Sequence, residues 1–317
     1  MLDVLNLALP YFGVIFIGYA CGRLKSLPEA GLAWMNFFLL YISLPALFFR
    51  ILSKTPFEQL NNVPFIFATT AGTALAFLLC AVGARLIGKT SAREAVMAGL
   101  SGGYGNIGYM GPGLALAAIG TGAAAPVALI FCFDNIFLFS LVPILMAITG
   151  GGQGNLLATI KQVAKQILLH PLIVASYFGT TAAAFHIELP VAIDGTMQFL
   201  QNAAAPVALF ALGVTVALRP FSRVPWELPW IIAVKLLIHP AIAFTLLWWL
   251  GPFSIEWAAT ALLMASLPPA LNVFVIARQY DTWVEPASAA VLIGTMVSVV
   301  TLTTMLWLIK TGQLVMP

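Results

Sequence analysis

The sequence predicts an all-α protein that crosses a membrane many times, and composition, the length of the apolar runs and the distribution of basic residues all indicate this. Of the 317 residues, 61% are hydrophobic and only 8% are charged, and the mean hydropathy is +1.01. A soluble domain of this size would expose far more charge. Because a bilayer demands satisfied backbone hydrogen bonds, and the apolar runs are too long for barrel strands, a helical bundle is expected.

Ten apolar segments are long enough to be transmembrane helices, since about 20 residues span a hydrocarbon layer of about 30 Å. The first is interpreted as a span, not as a secretory signal, because it lacks a basic leader and carries Asp3. The ten predicted spans are residues 3–22, 31–52, 64–87, 94–119, 124–148, 166–186, 191–218, 228–250, 255–278 and 286–310.

Basic residues predict the orientation, because Lys and Arg are enriched in short cytoplasmic loops. With both termini outside the cell, ten basic residues lie on the inner side: Arg23, Lys25, Arg85, Lys89, Arg93, Lys161, Lys165, Arg219, Arg223 and Arg278. The outer side then holds Arg50, Lys54 and Lys310. We therefore expect both termini outside, in the cytoplasmic membrane, and we interpret the net charge of +3 as a topology signal and not as a nucleic-acid footprint.

An internal repeat with an offset of about 161 residues divides the chain into two halves. Residues 44–49 match 205–210, residues 63–65 match 224–226, and the glutamates Glu94 and Glu256 open the fourth and ninth spans. The predicted units are residues 1–150 and 151–317, each with five spans. Because five is odd, the second half must enter the membrane from the opposite side.

The fourth and ninth spans are predicted to break near the middle of the membrane. Residues 101–113 are rich in glycine and contain Pro112, and the corresponding residues 266–272 contain Pro268 and Pro269. Glycine costs about 1 kcal/mol and proline about 3 kcal/mol relative to alanine within a helix. Paired breaks of this kind in corresponding spans point to a transport site.

A broken helix exposes N–H groups with partial positive charge at one end and carbonyls at the other, so two crossing breaks can hold an anion. Asn106 and Asn272 add neutral donors and acceptors there, and we expect them to contact substrate. The alternative is that glycines and prolines only kink packed helices while the asparagines satisfy freed backbone groups.

Residues 105–112 and 267–280 resemble the crossover segments of the auxin efflux carrier family, which includes plant PIN carriers and bacterial malonate-type carriers. The likeness extends over nearly the whole chain. It implies ten spans in two inverted repeats, with a scaffold from spans 1, 2, 6 and 7 and a transport domain from spans 3–5 and 8–10. It also implies a substrate near the crossing and a homodimer. The short link at 149–165 lacks the long loop of the plant members, so a malonate-like carboxylate is favoured over auxin.

Substrate-binding residues are predicted at the breaks and next to the matched prolines of the second and seventh spans. They are Gly105, Asn106, Tyr109, Pro112, Pro268, Pro269 and Asn272 at the breaks, and Tyr41 and Asn202 beside the prolines.

Two charged residues lie within predicted spans, where burial in lipid is costly. Asp134 lies near the middle of the fifth span and Lys235 lies about a third of the way into the eighth. We expect them to couple transport to H⁺ or Na⁺, as an ion pair or a proton-responsive pair. Alternatively, Lys235 reaches the inner interface. His170 and His239 each precede a proline and are interpreted as kinked positions with a satisfied imidazole, in preference to a proton relay.

The sequence thus predicts a secondary transporter of a small organic anion, with no metal or other cofactor. An auxin-like monocarboxylate efflux carrier is the alternative, followed by a membrane-embedded hydrolase, a passive channel or a sensory module. Residues 99–103 match the hydrolase string GxSxG, but they interrupt a membrane span where the elbow needs a strand. Walker A, HExxH and EF-hand strings are absent from the sequence, which excludes the usual motifs of ATP-driven transport and metalloprotease chemistry.

Overall fold

The computed structural model describes residues 2–24, 29–149, 161, 164–165, 168–218 and 224–313. Within these ranges the chain is helical, and its one pairing of extended backbone is an isolated bridge between Gly105 and Pro269. The all-α class predicted from composition is therefore confirmed. Most of the link at 149–165, and the basic residues Lys25, Arg219 and Arg223, lie outside the described residues.

The described part of the chain forms fifteen α-helices. They are α1 (Leu2–Leu24), α2 (Glu29–Phe38), α3 (Leu44–Ser53), α4 (Phe57–Leu60), α5 (Val63–Ile87), α6 (Ala92–Gly103), α7 (Gly111–Ile119), α8 (Ala124–Thr149), α9 (Pro171–Ala184), α10 (Val191–Ala217), α11 (Leu228–Ala233), α12 (His239–Leu250), α13 (Ile255–Ala265), α14 (Leu271–Gln279) and α15 (Val284–Lys310). The π-helical turns Leu39–Ser43 and Val234–Ile238 join α2 to α3 and α11 to α12. Each turn precedes a proline, Pro45 or Pro240, whose missing N–H disturbs regular helical hydrogen bonding.

Six helical segments within the described ranges are long and apolar enough to cross a membrane. They are Gly31–Ser53, Glu58–Ile87, Thr121–Thr149, Val191–Ala217, Leu228–Leu250 and Val284–Lys310. These segments coincide with the second, third, fifth, seventh, eighth and tenth predicted spans. The first and sixth predicted spans contain α1 and α9, and the fourth and ninth are each divided into two shorter helices. The total of ten crossings stays a prediction.

Both predicted helix interruptions are present in the structure. Helix α6 ends at Gly103 and α7 begins at Gly111, while α13 ends at Ala265 and α14 begins at Leu271. Pro112 lies in the first turn of α7, where backbone N–H groups have no partner within the helix, so the missing N–H of proline costs no helical hydrogen bond. The local sequence therefore ends and restarts each helix at the residues where the site is expected.

The helices pack in two groups. In the first group, α1 runs along α10 and α9 runs along α3. In the second, α5 runs along α6 and α12, α8 contacts α6 and α13, and α15 contacts α11 and α14. Contacts of α3 with α8 and of α1 with α15 join the two groups.

Glycines bring α1 and α10 into direct backbone contact. A Cβ atom at Gly18 would overlap the carbonyl of Phe210, and a Cβ at Gly213 would overlap the carbonyl of Ile15. Gly22, one turn further along α1, faces Ala217 of α10. The GxxxG pair of α1 thus serves packing between two helices of the same chain.

An ionic cluster joins the end of α3 to the beginning of α10. Arg50, which is only 8% exposed, donates from Nε to Asp194 Oδ1 at 2.8 Å and from Nη2 to Oδ2 at 3.0 Å. Its Nη1 donates to Gln201 Oε1 at 2.7 Å, and the more exposed Lys54 donates to Asp194 Oδ2 at 3.1 Å. All the donors of this cluster come from α3 or the residue after it, so the cluster fixes the register of α3 on α10.

Candidate functional site

The two interruptions meet through their main chains. Asn106 N–H donates to the carbonyl of Pro268 at 2.8 Å, and Ala270 N–H donates to the carbonyl of Tyr104 at 3.0 Å. These bonds flank the bridge between Gly105 and Pro269. Two segments about 160 residues apart in sequence are thereby held side by side.

Two helix N-termini begin at this crossing. Helix α7 begins five residues after Asn106, whose carbonyl accepts from the N–H groups of Met110 and Gly111 at 3.2 and 3.1 Å. Helix α14 begins directly after Ala270. Because each N-terminus carries a partial positive charge of roughly half an elementary charge, the arrangement favours an anion.

The carboxamide of Asn106 is buried without a hydrogen-bond partner. Asn106 is 1% exposed, and within the described part of the chain neither its Nδ2 nor its Oδ1 has a partner. Leaving a buried polar group unpaired costs about 1–3 kcal/mol. A bound molecule that supplies a donor or an acceptor would recover that cost.

Asn272 belongs to a line of polar side chains that sequence reasoning did not find. Asn272 Nδ2 donates to Tyr104 Oη at 3.4 Å, and Tyr104 Oη donates to Asn135 Oδ1 at 2.7 Å. Asn135 Nδ2 in turn donates to the carbonyl of Phe131 at 2.6 Å, one turn earlier in α8. Tyr104 lies within the interrupted segment and Asn135 directly follows the charged Asp134, and these positions are the signals that could have indicated them.

A small cavity of about 20 Å³ lies at the crossing. This volume has room for about one water molecule, so the conformation described is closed around the site. The residues that line it are Leu40, Leu44, Tyr104, Asn106, Gly108, Tyr109, Phe131, Asn135, His170, Leu172, Ala270 and Asn272. Three predicted binding residues, Asn106, Tyr109 and Asn272, are thus brought together.

A second cavity of about 600 Å³ adjoins the first, and the two share Leu40 and His170. Its lining includes Tyr41, Lys165 and Tyr280. Tyr41 also stacks on Phe37, with the ring centroids 5.1 Å apart. The predicted residue Tyr41 therefore faces the wider cavity and does not line the crossing.

The remaining predicted residues at the breaks contribute main chain and packing. The carbonyl of Pro268 accepts the bond from Asn106. The ring of Pro269 lies so close to Gly294 that an added Cβ would overlap it, and an added Cβ on Gly105 would lie 3.0 Å from Lys235 Nζ.

Pro112 is buried in α7. Asn202 is an exposed residue of α10 and lines neither of the two cavities. The structure therefore does not bring Asn202 to the crossing.

Lys235 lies on the other side of the crossing in a fully buried position. It is 0% exposed, and its Nζ donates to the carbonyl of Ala265 at 3.0 Å and lies 2.9 Å from His239 Nδ1. The ammonium group therefore binds the C-terminal end of α13, where helix carbonyls carry partial negative charge. The alternative in which Lys235 reaches the membrane interface is wrong, because its head group is occupied inside the bundle.

Asp134 faces the same small cavity of about 10 Å³ as Lys235. Its Oδ2 accepts a 2.8 Å hydrogen bond from the Thr73 hydroxyl, and its buried Oδ1 has no partner among the described residues. The ion pairs found in the described part of the chain are those of Asp194 with Arg50 and Lys54. Asp134 and Lys235 are therefore neighbours that do not form a direct ion pair.

The two histidines differ in their surroundings. His239 has the satisfied imidazole that was predicted, since its Nδ1 lies 2.9 Å from Lys235 Nζ. His170 precedes α9 as its N-cap residue but makes no side-chain cap hydrogen bond. Its ring instead lies 6.0 Å from that of Phe139, so the expectation of a satisfied imidazole is not met at His170 by the described residues.

The GxSxG string has none of the geometry of a nucleophile elbow. Ser101 lies inside α6 and is 0% exposed. The flanking Gly99 and Gly103 pack against Phe77 and Thr73 of α5. A buried helical serine cannot act as the exposed nucleophile that the hydrolase mechanism requires.

A comparison with known protein families matches residues 3–306 to the family described as membrane transport protein. The chain belongs to this membrane transport protein family. The match covers the crossing, both cavities and the buried charges. The chain is therefore an integral membrane transporter, and the family consists of transport proteins and not of enzymes.

Two relatives match over most of the transporter's length, and a third matches over less than half of it. A protein of Rhizobium meliloti (strain 1021), provisionally named a malonate transporter, is 44% identical over 314 residues, which is 99% of this chain and 98% of the relative. The uncharacterised transporter YfdV of Escherichia coli (strain K12) is 25% identical over 92% of this chain and 93% of its own. Auxin efflux carrier component 1 of Arabidopsis thaliana is 25% identical over 43% of this chain and 23% of its own. The resemblance to the auxin efflux carrier family is thus confirmed.

Proposed function

We propose that this transporter is a secondary active carrier of small organic anions, with a malonate-like dicarboxylate as its substrate, and that it works by alternating access. The observation that carries the proposal is the buried, unpartnered carboxamide of Asn106 at a crossing where two helix N-termini begin. The name of the Rhizobium meliloti relative, which matches along nearly its full length, supports the substrate class.

The proposed architecture has ten spans in two inverted repeats, residues 1–150 and 151–317. Helix packing supports it. In the proposed repeat α9 corresponds to α1 and α3 corresponds to α10, so the contact of α9 with α3 is the counterpart of the contact of α1 with α10. The first packing group corresponds to the proposed scaffold and the second to the proposed transport domain. The crossing cavity lies between them, since Leu44 and Leu172 come from the first group while Asn106 and Asn272 come from the second.

The proposed binding mode places one carboxylate of the substrate at the crossing. The N–H ends of α7 and α14 supply partial positive charge, and the amides of Asn106 and Asn272 and the hydroxyl of Tyr109 supply oriented hydrogen bonds. Gly105, Pro112, Pro268 and Pro269 shape the main chain, and Tyr41 lies along the route through the wider cavity. Because the crossing cavity has a volume of only about 20 Å³, substrate entry requires movement of one helix group against the other.

Uptake of a dianion needs a coupling ion. Moving each negative charge inward costs about 2.3 kcal/mol per 100 mV of inside-negative potential, and a dianion costs about twice that. We assign the coupling to Asp134 and Lys235, which share one small buried cavity, and we propose H⁺ or Na⁺ as the ion. The unpartnered Oδ1 of Asp134 is the atom available to it.

We further propose that the transporter resides in the cytoplasmic membrane with both termini outside, and that it forms a homodimer. The basic residues Arg85, Lys89, Arg93 and Arg278 lie at one set of helix ends, and Arg50 and Lys54 lie at the other. In this orientation the wider cavity opens towards the cytoplasm, because it is lined by Lys165 and Tyr280. Accessibility labelling of single cysteines in intact cells would test the orientation.

Counterflow in proteoliposomes tests the function. Vesicles that contain the purified transporter are loaded with unlabelled malonate and diluted into radiolabelled malonate. We expect saturable accumulation of label, which Asn106→Leu strongly reduces and Ser101→Ala leaves intact. Non-saturable flux would indicate a channel, and absence of counterflow with every small mono- and dicarboxylate would overturn the proposal.

An auxin-like monocarboxylate efflux carrier is the second candidate, favoured by the partial match to the Arabidopsis thaliana carrier. Competition distinguishes the two candidates in the same vesicles. If the dicarboxylate proposal holds, excess malonate abolishes label uptake and excess indole-3-acetate does not. The opposite order of potency would favour the second candidate.

A further inference from the structure

His170 lies in the wall that the two cavities share. It lines the crossing cavity together with Asn106 and Asn272, and it lines the wider cavity together with Lys165. His170 is the N-cap residue of α9, which belongs to the first packing group, whereas the two asparagines belong to the second. A molecule at the crossing would therefore touch His170 from one group and the asparagines from the other.

A single aromatic ring connects His170 to Tyr104 of the crossing. The ring of Phe139 lies 6.0 Å from the imidazole of His170 and packs edge-on against Tyr104, with centroids 5.6 Å apart. Tyr104 is the residue whose carbonyl and hydroxyl bond to the opposite break. Phe139 thus contacts both His170 and the residue that joins the two breaks.

The imidazole of His170 is available to a ligand. Its side chain does not cap α9, and its described ring contact is with Phe139. Both ring nitrogens are consequently free of hydrogen bonds to the described residues.

The charge of the cavity lining favours an anion at this position. None of the described residues that line either cavity is an Asp or a Glu, and the side chains there that can be positive are Lys165 and His170. Of these two, only His170 reaches the crossing cavity within the described lining. The asparagines and tyrosines at the crossing are neutral donors, so they cannot balance a second negative charge.

We infer that His170 binds the second carboxylate of a dicarboxylate whose first carboxylate lies at the crossing. The inference rests on the proposed function and adds the residue that selects dicarboxylates over monocarboxylates. An N–H of the His170 imidazole donates a hydrogen bond to the ionised distal carboxylate, and such a charge-assisted bond is stronger than a bond between neutral groups. Because His170 belongs to the first packing group, the substrate would bridge the two groups.

The test compares radiolabelled malonate and radiolabelled propionate in proteoliposomes, at one pH at which both carboxyl groups of malonate are ionised. We expect His170→Asn to raise the KM for malonate about tenfold or more, as expected for loss of a hydrogen bond to a charged group. The KM for propionate should stay within about twofold of the wild-type value. Asparagine is a favoured N-cap residue, so α9 should keep its start.

Two further variants complete the test. His170→Arg retains N–H donors and should preserve the preference for malonate. Lys165→Asn removes the cation of the wider cavity and should change this preference little. Equal effects of His170→Asn on both substrates, or loss of the preference only in Lys165→Asn, would overturn the inference. Transport of neither acid by the wild-type protein would instead refute the proposed function.

Discussion

The main-chain amide of Asn106 donates a 2.8 Å hydrogen bond to the carbonyl of Pro268, and this bond joins the interruption between α6 and α7 to that between α13 and α14. A second bond, from Ala270 to Tyr104, completes the contact. Because all four atoms belong to the main chain, the contact does not depend on the side chains that face the cavity. The side chains can therefore be replaced one at a time while the crossing remains.

Asn106→Leu should impair transport without impairing the fold. We expect the KM for malonate to rise about tenfold, because a hydrogen bond to a charged group contributes about 1.5–3 kcal/mol. The melting temperature should not fall, since an unpartnered buried amide is replaced by an apolar side chain. Transport kinetics and thermal unfolding of the same preparation measure both effects.

The control for Asn106 is Asn202→Leu, which changes an exposed residue outside both cavities. It should leave the KM for malonate unchanged. If Asn202→Leu impaired transport while Asn106→Leu did not, the prediction that Asn202 binds substrate would be supported. The assignment of the binding site to the crossing would then be wrong.

Asp134→Asn should remove the dependence of uptake on ion gradients. The amide cannot take up a proton or hold a cation in the way that a carboxylate does, although it can still accept the hydrogen bond from Thr73. Uptake of malonate should then become independent of the pH or Na⁺ gradient while counterflow persists. Proteoliposomes with imposed gradients provide the measurement, and gradient-dependent uptake equal to that of wild type would contradict the role.

Thr73→Val is the matched control for the carboxylate, since it removes only the donor to Asp134 Oδ2. It should shift the pH at which uptake is half-maximal but keep the gradient dependence. Abolition of gradient dependence by Thr73→Val alone would assign the coupling to the hydroxyl instead.

Gly18→Leu should destabilise the protein by disrupting the contact between α1 and α10. An added Cβ would overlap the carbonyl of Phe210, and overpacking of this kind typically costs about 1–3 kcal/mol. Gly13→Leu in the same helix is the control, because among the described residues no atom beyond the neighbouring backbone of α1 lies within 4 Å of the added Cβ. In thermal unfolding in detergent, the melting temperature of Gly18→Leu should be well below that of Gly13→Leu. Equal melting temperatures would show that the contact does not stabilise the bundle.

Arg50→Gln should destabilise the first packing group more than Lys54→Gln does. Arg50 is buried and makes three hydrogen bonds to Asp194 and Gln201, whereas Lys54 is exposed and makes one. Exposed ion pairs contribute little to stability. Melting temperatures of the two variants test the ranking, and a larger loss for Lys54→Gln would contradict it.

The sequence was sufficient to predict the interruptions because their cause is local. Glycine and proline disfavour a helix wherever they occur, so α6 and α13 end where composition indicates. The same reasoning found Asn106 and Asn272, since each polar amide lies at or beside an interruption. These features need no knowledge of which helices are neighbours.

The interactions that were missed depend on distant parts of the chain. Tyr104 binds Asn135 of α8, and Lys235 binds the end of α13, and hydropathy does not indicate which face of an apolar helix turns inward. The same limit explains why the sequence left open that Lys235 reaches the membrane interface. It also explains why the sequence predicted Asn202 as a substrate-binding residue.

The most direct test of the account is an electron cryo-microscopy structure of the transporter at saturating malonate. We predict density between the two interruptions, in contact with the Asn106 carboxamide and close to the N-termini of α7 and α14. Malonate density elsewhere with the crossing empty, or continuous helices through residues 101–113 and 266–272, would contradict it.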